Sequence, residues 1–168
     1  MIEESKRKLI HLSFGIAFAI LFYFHPFYLL LFFISSTIIS FIFSLFGNEW
    51  NRVFWYFLAV SIISISYTYI PKSIIVSSML IFAIGDTFSN IMGRKYGKKK
   101  WPHSNKTCIG TITGIILSFP FAYVFTNNLI IAAIGAISGM FAEAYSPVND
   151  NFMIPLASFV SMSIIWII

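Results

Sequence analysis

Seven stretches of the chain are apolar around a whole helical circumference, and short polar breaks divide them. They run roughly over 9–24, 27–46, 53–70, 74–92, 108–126, 129–145 and 152–168. A helix needs about 20 apolar residues, within a range near 17–25, to cross the hydrocarbon core of a bilayer. Each stretch meets or approaches that length. A helix apolar on every side has to be buried in protein or in lipid. The breaks are helix-ending or turn-forming: His25-Pro26, Gly47-Asn48, Pro71, Gly93, Asn127-Asn128 and Ser146-Pro147. Pro120 falls inside the fifth stretch and predicts a kink there. Gly135 and Gly139 stand four apart, a spacing that lets two helices approach closely. The pattern predicts one all-α domain over 1–168, a polytopic transmembrane helical bundle of about seven spans.

Composition supports that pattern. The chain has 168 residues, 58% hydrophobic and 10% charged, where a soluble domain is about a quarter charged. So few polar side chains cannot cover a water-exposed surface, and a lipid bilayer is the natural partner. The net charge of +5 would suggest nucleic acid in a soluble protein. Here most cations flank apolar spans, and no nucleic-acid-binding module is present. Placing the N-terminus inside puts ten of the 11 basic residues (all but Lys72) on the cytoplasmic side. The expectation is a multi-pass protein of the cell membrane, with its N-terminus and its chemistry in the cytoplasm. The first apolar run follows Lys6-Arg7-Lys8 without a small-residue cleavage site, which predicts a retained helix. A lone cysteine, Cys108, excludes an intramolecular disulfide.

The candidate chemistry gathers on that basic side. Asp86 lies near the inner end of the fourth stretch, where an unpartnered carboxylate costs roughly 2–3 kcal/mol or more. Asp86, Ser89, Asn90 and Gly93 share a helix face and lead into the loop 93–107. That loop holds Arg94, Lys95, Lys98, Lys99, Lys100 and Lys106 with Gly93, Gly97, Ser104 and Thr107. Glycines permit close backbone approach to phosphate, cations neutralise it and hydroxyls bond its oxygens. Taken alone, the charge run favours attraction to anionic lipid heads, and the nucleotide-binding Walker pattern is missing. Glu4, Arg7, Lys8 and His11 share one face of the first helix. Glu143, Asp150 and Asn151 follow the sixth stretch, and either Asn149 or Asp150 could cap the seventh. Two carboxylates beside a polyphosphate suit Mg²⁺, which usually takes one or two carboxylates plus phosphate oxygens.

Three blocks of these residues resemble the CTP-dependent lipid kinases: dolichol (polyprenol) kinase, phytol kinase and the CTP-dependent diacylglycerol kinase. That group is related to the phosphatidate cytidylyltransferases. The first block is Glu4, Arg7, Lys8 and His11. The central block is Gly85, Asp86, Gly93, Arg94, Gly97, Ser104, Lys106, Thr107 and Gly110. The last is Glu143, Asp150, Asn151 and Pro155. One departure is Ile109, where the family commonly carries an acidic residue.

The resemblance implies transfer of the γ-phosphate of CTP to a lipid alcohol. It implies Mg²⁺ at Asp86 and Asp150, with Asn151 and Glu143 nearby. It implies catalytic roles for Asp86, His11, Lys106 and Asp150. Nucleotide contacts would come from Arg7, Lys8, Gly85, Asn90, Gly93, Arg94, Gly97, Lys98, Ser104, Lys106, Thr107 and Gly110. The acceptor is an isoprenoid or glycerolipid alcohol, and homo-oligomerisation is left open. Two alternatives stand beside this reading. One is a cytidylyltransferase acting on a lipid phosphate, which the lack of a second aspartate at Phe152 or Met153 disfavours. The other is a non-catalytic transporter or lipid-binding protein, disfavoured by midplane regions that are almost purely apolar in sequence.

Overall fold

The structure is a computed structural model that describes residues 2–47 and 49–168, with side chains from residue 8 onward except at 49. The helices are α1 (Ile2–Phe24), α2 (Pro26–Ser44), α3 (Glu49–Ile65), α4 (Lys72–Leu80), α5 (Thr87–Tyr96), α6 (Cys108–Thr126), α7 (Leu129–Ala144) and α8 (Asp150–Ile167). A π-helical turn, Ile81–Asp86, joins α4 to α5, so Lys72–Tyr96 is one continuous rod. The described residues therefore form seven rods, and the predicted breaks fall between them or at their ends except Gly93, which lies within α5; that rod continues to Tyr96. Among them the extended pairing is one isolated antiparallel bridge, Lys100 with Thr107.

Local chemistry explains the rod ends. Pro26 opens α2, where its missing N–H is no loss. The side chain of Asn128 accepts hydrogen bonds from the backbone N–H of Ile130 and Ile131 and starts α7. Asn127, at φ 48°, closes α6 in the left-handed conformation that asparagine tolerates. Asn149 caps α8 by accepting from the Asn151 N–H at 3.0 Å. That assigns the cap to Asn149 and leaves the Asp150 carboxylate available for other partners.

The rod Lys72–Tyr96 is the axis of the bundle. Its most apolar stretch is 83% buried, against 11% for α2 at the periphery. Its π turn packs against α1, α6, α7 and α8. Gly15 of α1 lies so close to Ala83 that a Cβ at position 15 would stand 2.5 Å from the alanine methyl. A Cβ at Gly139 would stand 3.3 Å from the Ile154 carbonyl oxygen, so the small-residue pair of α7 does permit the close contact with α8.

Four rods are long and apolar enough to cross a membrane: Pro26–Ser44, Lys72–Tyr96, Cys108–Thr126 and Asp150–Ile167. Lys8–Phe24 and Leu129–Ala144 are shorter apolar helices. Large apolar side chains face outward on many of them. Phe14, Ile38, Ile116, Ile130 and Ile164 are 52–61% exposed, a display suited to hydrocarbon rather than water. The interior is less apolar than the sequence suggested. Ser64, Ser77, Ser118, Ser158 and Ser163 are all buried there.

The bundle has two chemically different ends. Lys72 sits at one, its ammonium donating to the Tyr23 carbonyl oxygen at 3.3 Å. At the other end Lys8, Arg52, Arg94 and Lys106 meet Asp86, Glu143 and Asp150. The convergence expected from the charge pattern is present in the fold.

Candidate active site

Two adjoining cavities open at the basic end, sharing Asn90 and Arg94. The first, about 310 Å³, lies between α5, α6 and the loop that joins them; Lys106, Thr107, Gly110 and Glu143 line it. The second, about 270 Å³, has Lys8, Arg52, Asp86, Asp150 and Asn151 in its wall. Each cavity carries cations and at least one carboxylate.

The loop between α5 and α6 is a pinned hairpin rather than a free basic strand. The Trp101 N–H donates to the Lys106 carbonyl oxygen at 3.0 Å, and Cys108 N–H to that of Lys99 at 2.9 Å. His103, at φ 56°, occupies the turn. Trp101 anchors the hairpin by donating its indole N–H to Thr111 Oγ1 at 3.0 Å and packing its ring on Phe141 at 5.3 Å. Ser104 Oγ donates to the Ala144 carbonyl oxygen and ties the tip to the end of α7.

The glycines serve this closure. A Cβ at Gly93 would stand 2.7 Å from Thr107 Oγ1, and one at Gly110 would stand 2.7 Å from the Ser89 carbonyl oxygen. Both positions let hairpin and helices touch, and both also line the first cavity. Thr107 caps α6 by accepting from the Gly110 N–H at 3.2 Å.

The carboxylates are individually compensated. Asp86 is 3% exposed. It pairs with Lys8 of α1 and accepts from Asn90 Nδ2 at 2.8 Å. Burial at that depth makes such partners mandatory. Glu143, buried at the end of α7, accepts from Ser89 Oγ, 2.6 Å and 2.7 Å from its two oxygens, and from Lys106 Nζ at 2.8 Å. Lys106 also pairs with Asp150. Burial by itself would lower the pKa of the Lys106 ammonium, but the Glu143 and Asp150 carboxylates outweigh it and hold it above the ordinary lysine value.

The predicted residues divide accordingly. Lys8, Asp86, Asn90, Gly93, Arg94, Lys106, Thr107, Gly110, Glu143, Asp150 and Asn151 line the two cavities. Gly85, Gly97, Lys98, Ser104 and His11 line neither. Gly85 is packed against Met140, Lys98 is exposed, and Ser104 ties down the hairpin. His11 lies among aromatic rings, with centroids 6.2 Å from Tyr56 and 6.1 Å from Phe82. The side chains of Glu4 and Arg7 lie outside the described residues. Ile109 is 41% exposed and in neither wall. Arg52, Asn105 and Thr111 are wall residues that sequence reasoning did not single out. Thr111 was findable, standing one turn after the Lys106-Thr107 block.

The donor set fits Mg²⁺ in the mode that uses few protein ligands. Asp86 and Asp150 share a cavity, and Asn151 adds an amide oxygen. Among the described residues no group of three metal-type side chains is assembled. The rest of a coordination shell would therefore fall to phosphate oxygens and water.

Comparison with known proteins agrees with the motif reading. The chain is 31% identical over 91 residues to mouse dolichol kinase, covering 48% of this chain and 17% of the mouse protein. It is 31% identical over 83 residues to yeast dolichol kinase, covering 43% of this chain and 16% of that protein. A probable chloroplastic phytol kinase 1 of rice is 27% identical over 121 residues, 61% of this chain and 38% of the rice protein. The match thus spans about a sixth of the length of the dolichol kinases. No family profile matches the chain, and no solved structure does. The resemblance to dolichol and phytol kinases drawn from the three motif blocks is borne out by these relatives.

Proposed function

Starting from this kinship with dolichol and phytol kinases, we propose that the chain transfers the γ-phosphate of CTP to a membrane lipid alcohol, with Mg²⁺ as cofactor. The observation that carries the reading is the paired-cavity site. A buried Asp86 and a half-buried Asp150 line one cavity, and Lys106, Thr107 and Gly110 line its neighbour. The nucleotide phosphates would lie beneath the hairpin, with Lys106 and Arg94 neutralising them and the backbone at Gly93 and Gly110 allowing close approach. Asp86 and Asp150 would hold Mg²⁺, with Asn151 alongside. When bound, that ion supplies charge neutralisation on the phosphoryl group in flight. Glu143, committed to Ser89 and Lys106, positions the lysine rather than the metal.

In the transfer the alcohol oxygen bonds to the γ-phosphorus, and the bond from that phosphorus to the β–γ bridging oxygen breaks. CDP leaves, and the alcohol proton passes to a carboxylate of the second cavity. His11, outside both cavities, is not assigned that role. A site at the end of a bundle with lipid-facing flanks suits an acceptor that never leaves the bilayer. By the excess of cations, this end faces the cytoplasm.

The test is a labelling experiment. The purified protein is incubated with Mg²⁺, a mixture of farnesol, a longer polyprenol, diacylglycerol and their phosphates, and CTP labelled at the α- or the γ-phosphorus. Label should enter lipid from the γ position. Entry from the α position would overturn the kinase reading in favour of a cytidylyltransferase. No entry from either would leave a non-catalytic membrane protein.

A further inference from the structure

We propose that Arg52 binds the phosphate of the lipid monophosphate product in the second cavity, making that cavity the lipid end of the site. The inference rests on the lipid phosphotransfer reading and names the lipid subsite within it. Arg52 belongs to α3, which contributes nothing to the three motif blocks, and the charge pattern explained it as an orientation signal alone.

Three observations assign it more. First, Arg52 is an exposed residue in the wall of the cavity that contains Asp86 and Asp150. Second, the other charges there have roles: Lys8 pairs with Asp86, Asp150 pairs with Lys106, and Arg94, shared with the first cavity, is assigned to the nucleotide phosphates. Among the described residues, the Arg52 guanidinium forms no ion pair or hydrogen bond. It is a cation at a cavity wall with no partner among the described residues, and its planar fork matches two oxygens of a phosphate monoester. Third, what fastens this part of α3 to the site is backbone. Asn151 Nδ2 donates to the Arg52 carbonyl oxygen at 3.0 Å, which fixes the residue at the cavity wall whatever its side chain does.

The surroundings select a lipid over a free nucleotide. One turn along α3 stands Trp55, whose ring packs on Phe152 of α8 with centroids 5.4 Å apart. Val148, 56% exposed, lines the same cavity. Guanidinium and apolar surface thus sit side by side, the arrangement an amphipathic molecule with a phosphate head requires. The first cavity, walled by the hairpin and polar side chains, remains for the nucleotide.

The experiment is equilibrium binding to the purified full chain in detergent micelles, using farnesyl monophosphate, farnesol and CTP as probes. Arg52→Ala should weaken farnesyl monophosphate roughly tenfold or more while leaving farnesol unchanged. Arg52→Lys should recover part of the loss, since an ammonium supplies charge without the fork. Arg52→Gln, close in length and uncharged, should behave like the alanine variant and stands in for it if alanine impairs folding. Unchanged binding of farnesyl monophosphate in these variants would overturn the proposal. So would a loss confined to CTP, or a wild-type protein that does not bind the probe. Binding needs no turnover: a wild-type protein that binds farnesyl monophosphate but leaves every lipid alcohol of the labelling mixture unlabelled refutes the kinase reading alone.

Discussion

The pairing of Lys106 with Glu143 makes a stability prediction whose sign is informative. The Glu143 side chain is 1% exposed and that of Lys106 is 28% exposed. Replacing Lys106 by methionine keeps most of the side-chain volume and leaves the buried carboxylate with Ser89 as its named donor. Removing one partner of a buried ion pair costs about 3–5 kcal/mol. Water reaches Lys106 and Asp150, so about 2–3 kcal/mol is the better expectation here. Glu143→Gln removes the buried charge but retains an acceptor for Ser89 and Lys106, at a cost of about 1–2 kcal/mol. The double variant has no stranded charge. It should lose only about 1–2 kcal/mol, roughly 2 kcal/mol less than the sum of the single losses.

The assay is equilibrium unfolding in mixed micelles at neutral pH, followed by tryptophan fluorescence. At roughly 2–4 °C per kcal/mol for a chain of this size, Lys106→Met should lower the midpoint by about 4–12 °C. Additive losses in the double variant, or a single lysine variant as stable as wild type, would show that Glu143 is not held as a buried charge by Lys106.

Three further outcomes follow from the site. Asp86→Asn keeps the shape and the Asn90 contact but removes the charge that Lys8 neutralises, so turnover should fall at least about 100-fold while folded protein persists in membranes; wild-type labelling would remove Asp86 from the chemistry. Gly110→Ala pushes a methyl against the Ser89 carbonyl and Thr107, parting α5 from the hairpin. It should cost about 1–3 kcal/mol of unfolding free energy and raise the apparent KM for CTP, and unaltered values of both would contradict the packing assigned to that glycine. Ile109→Glu adds the acidic residue common in the resembling kinases at an outward position. It should leave the KM for CTP within about twofold, because charges screened by solvent couple weakly; a large change would place Ile109 at the nucleotide.

The rods were legible because helix-length apolar runs and their breaks are properties of consecutive residues. So was the meeting of cations and carboxylates at one end, since the alternation of spans dictates sides. The stripe from Asp86 through Ser89, Asn90 and Gly93 was readable from helical spacing. Choice of partner was not. The fold gives Lys8 the carboxylate of Asp86, 78 positions away, and helical spacing cannot reach that far. The hairpin between α5 and α6 was hidden for the same reason: its anchors, Trp101 on Thr111 and Ser104 on Ala144, depend on where α6 and α7 stand. Arg52 was masked by a sufficient simpler explanation, the orientation rule. The buried serines escaped notice because a single hydroxyl scarcely alters the hydropathy of a long apolar run.

The π turn at Ile81–Asp86 has a consequence for how this chain can change length. A π turn contains one more residue than the α-helical turn it replaces, with the flanking helix held in place. Losing a residue elsewhere in the rod Lys72–Tyr96 would rotate everything beyond it by about 100° and draw it back by about 1.5 Å, taking the polar stripe off its cavities. Losing one from within the π turn would let that segment relax to ordinary helical winding, with the flanking halves keeping their alignment. The axis of the bundle thus carries its own slack, stored in the turn that ends on Asp86, the first site residue of the rod. Descendant sequences differing by one residue there can retain the same polar end.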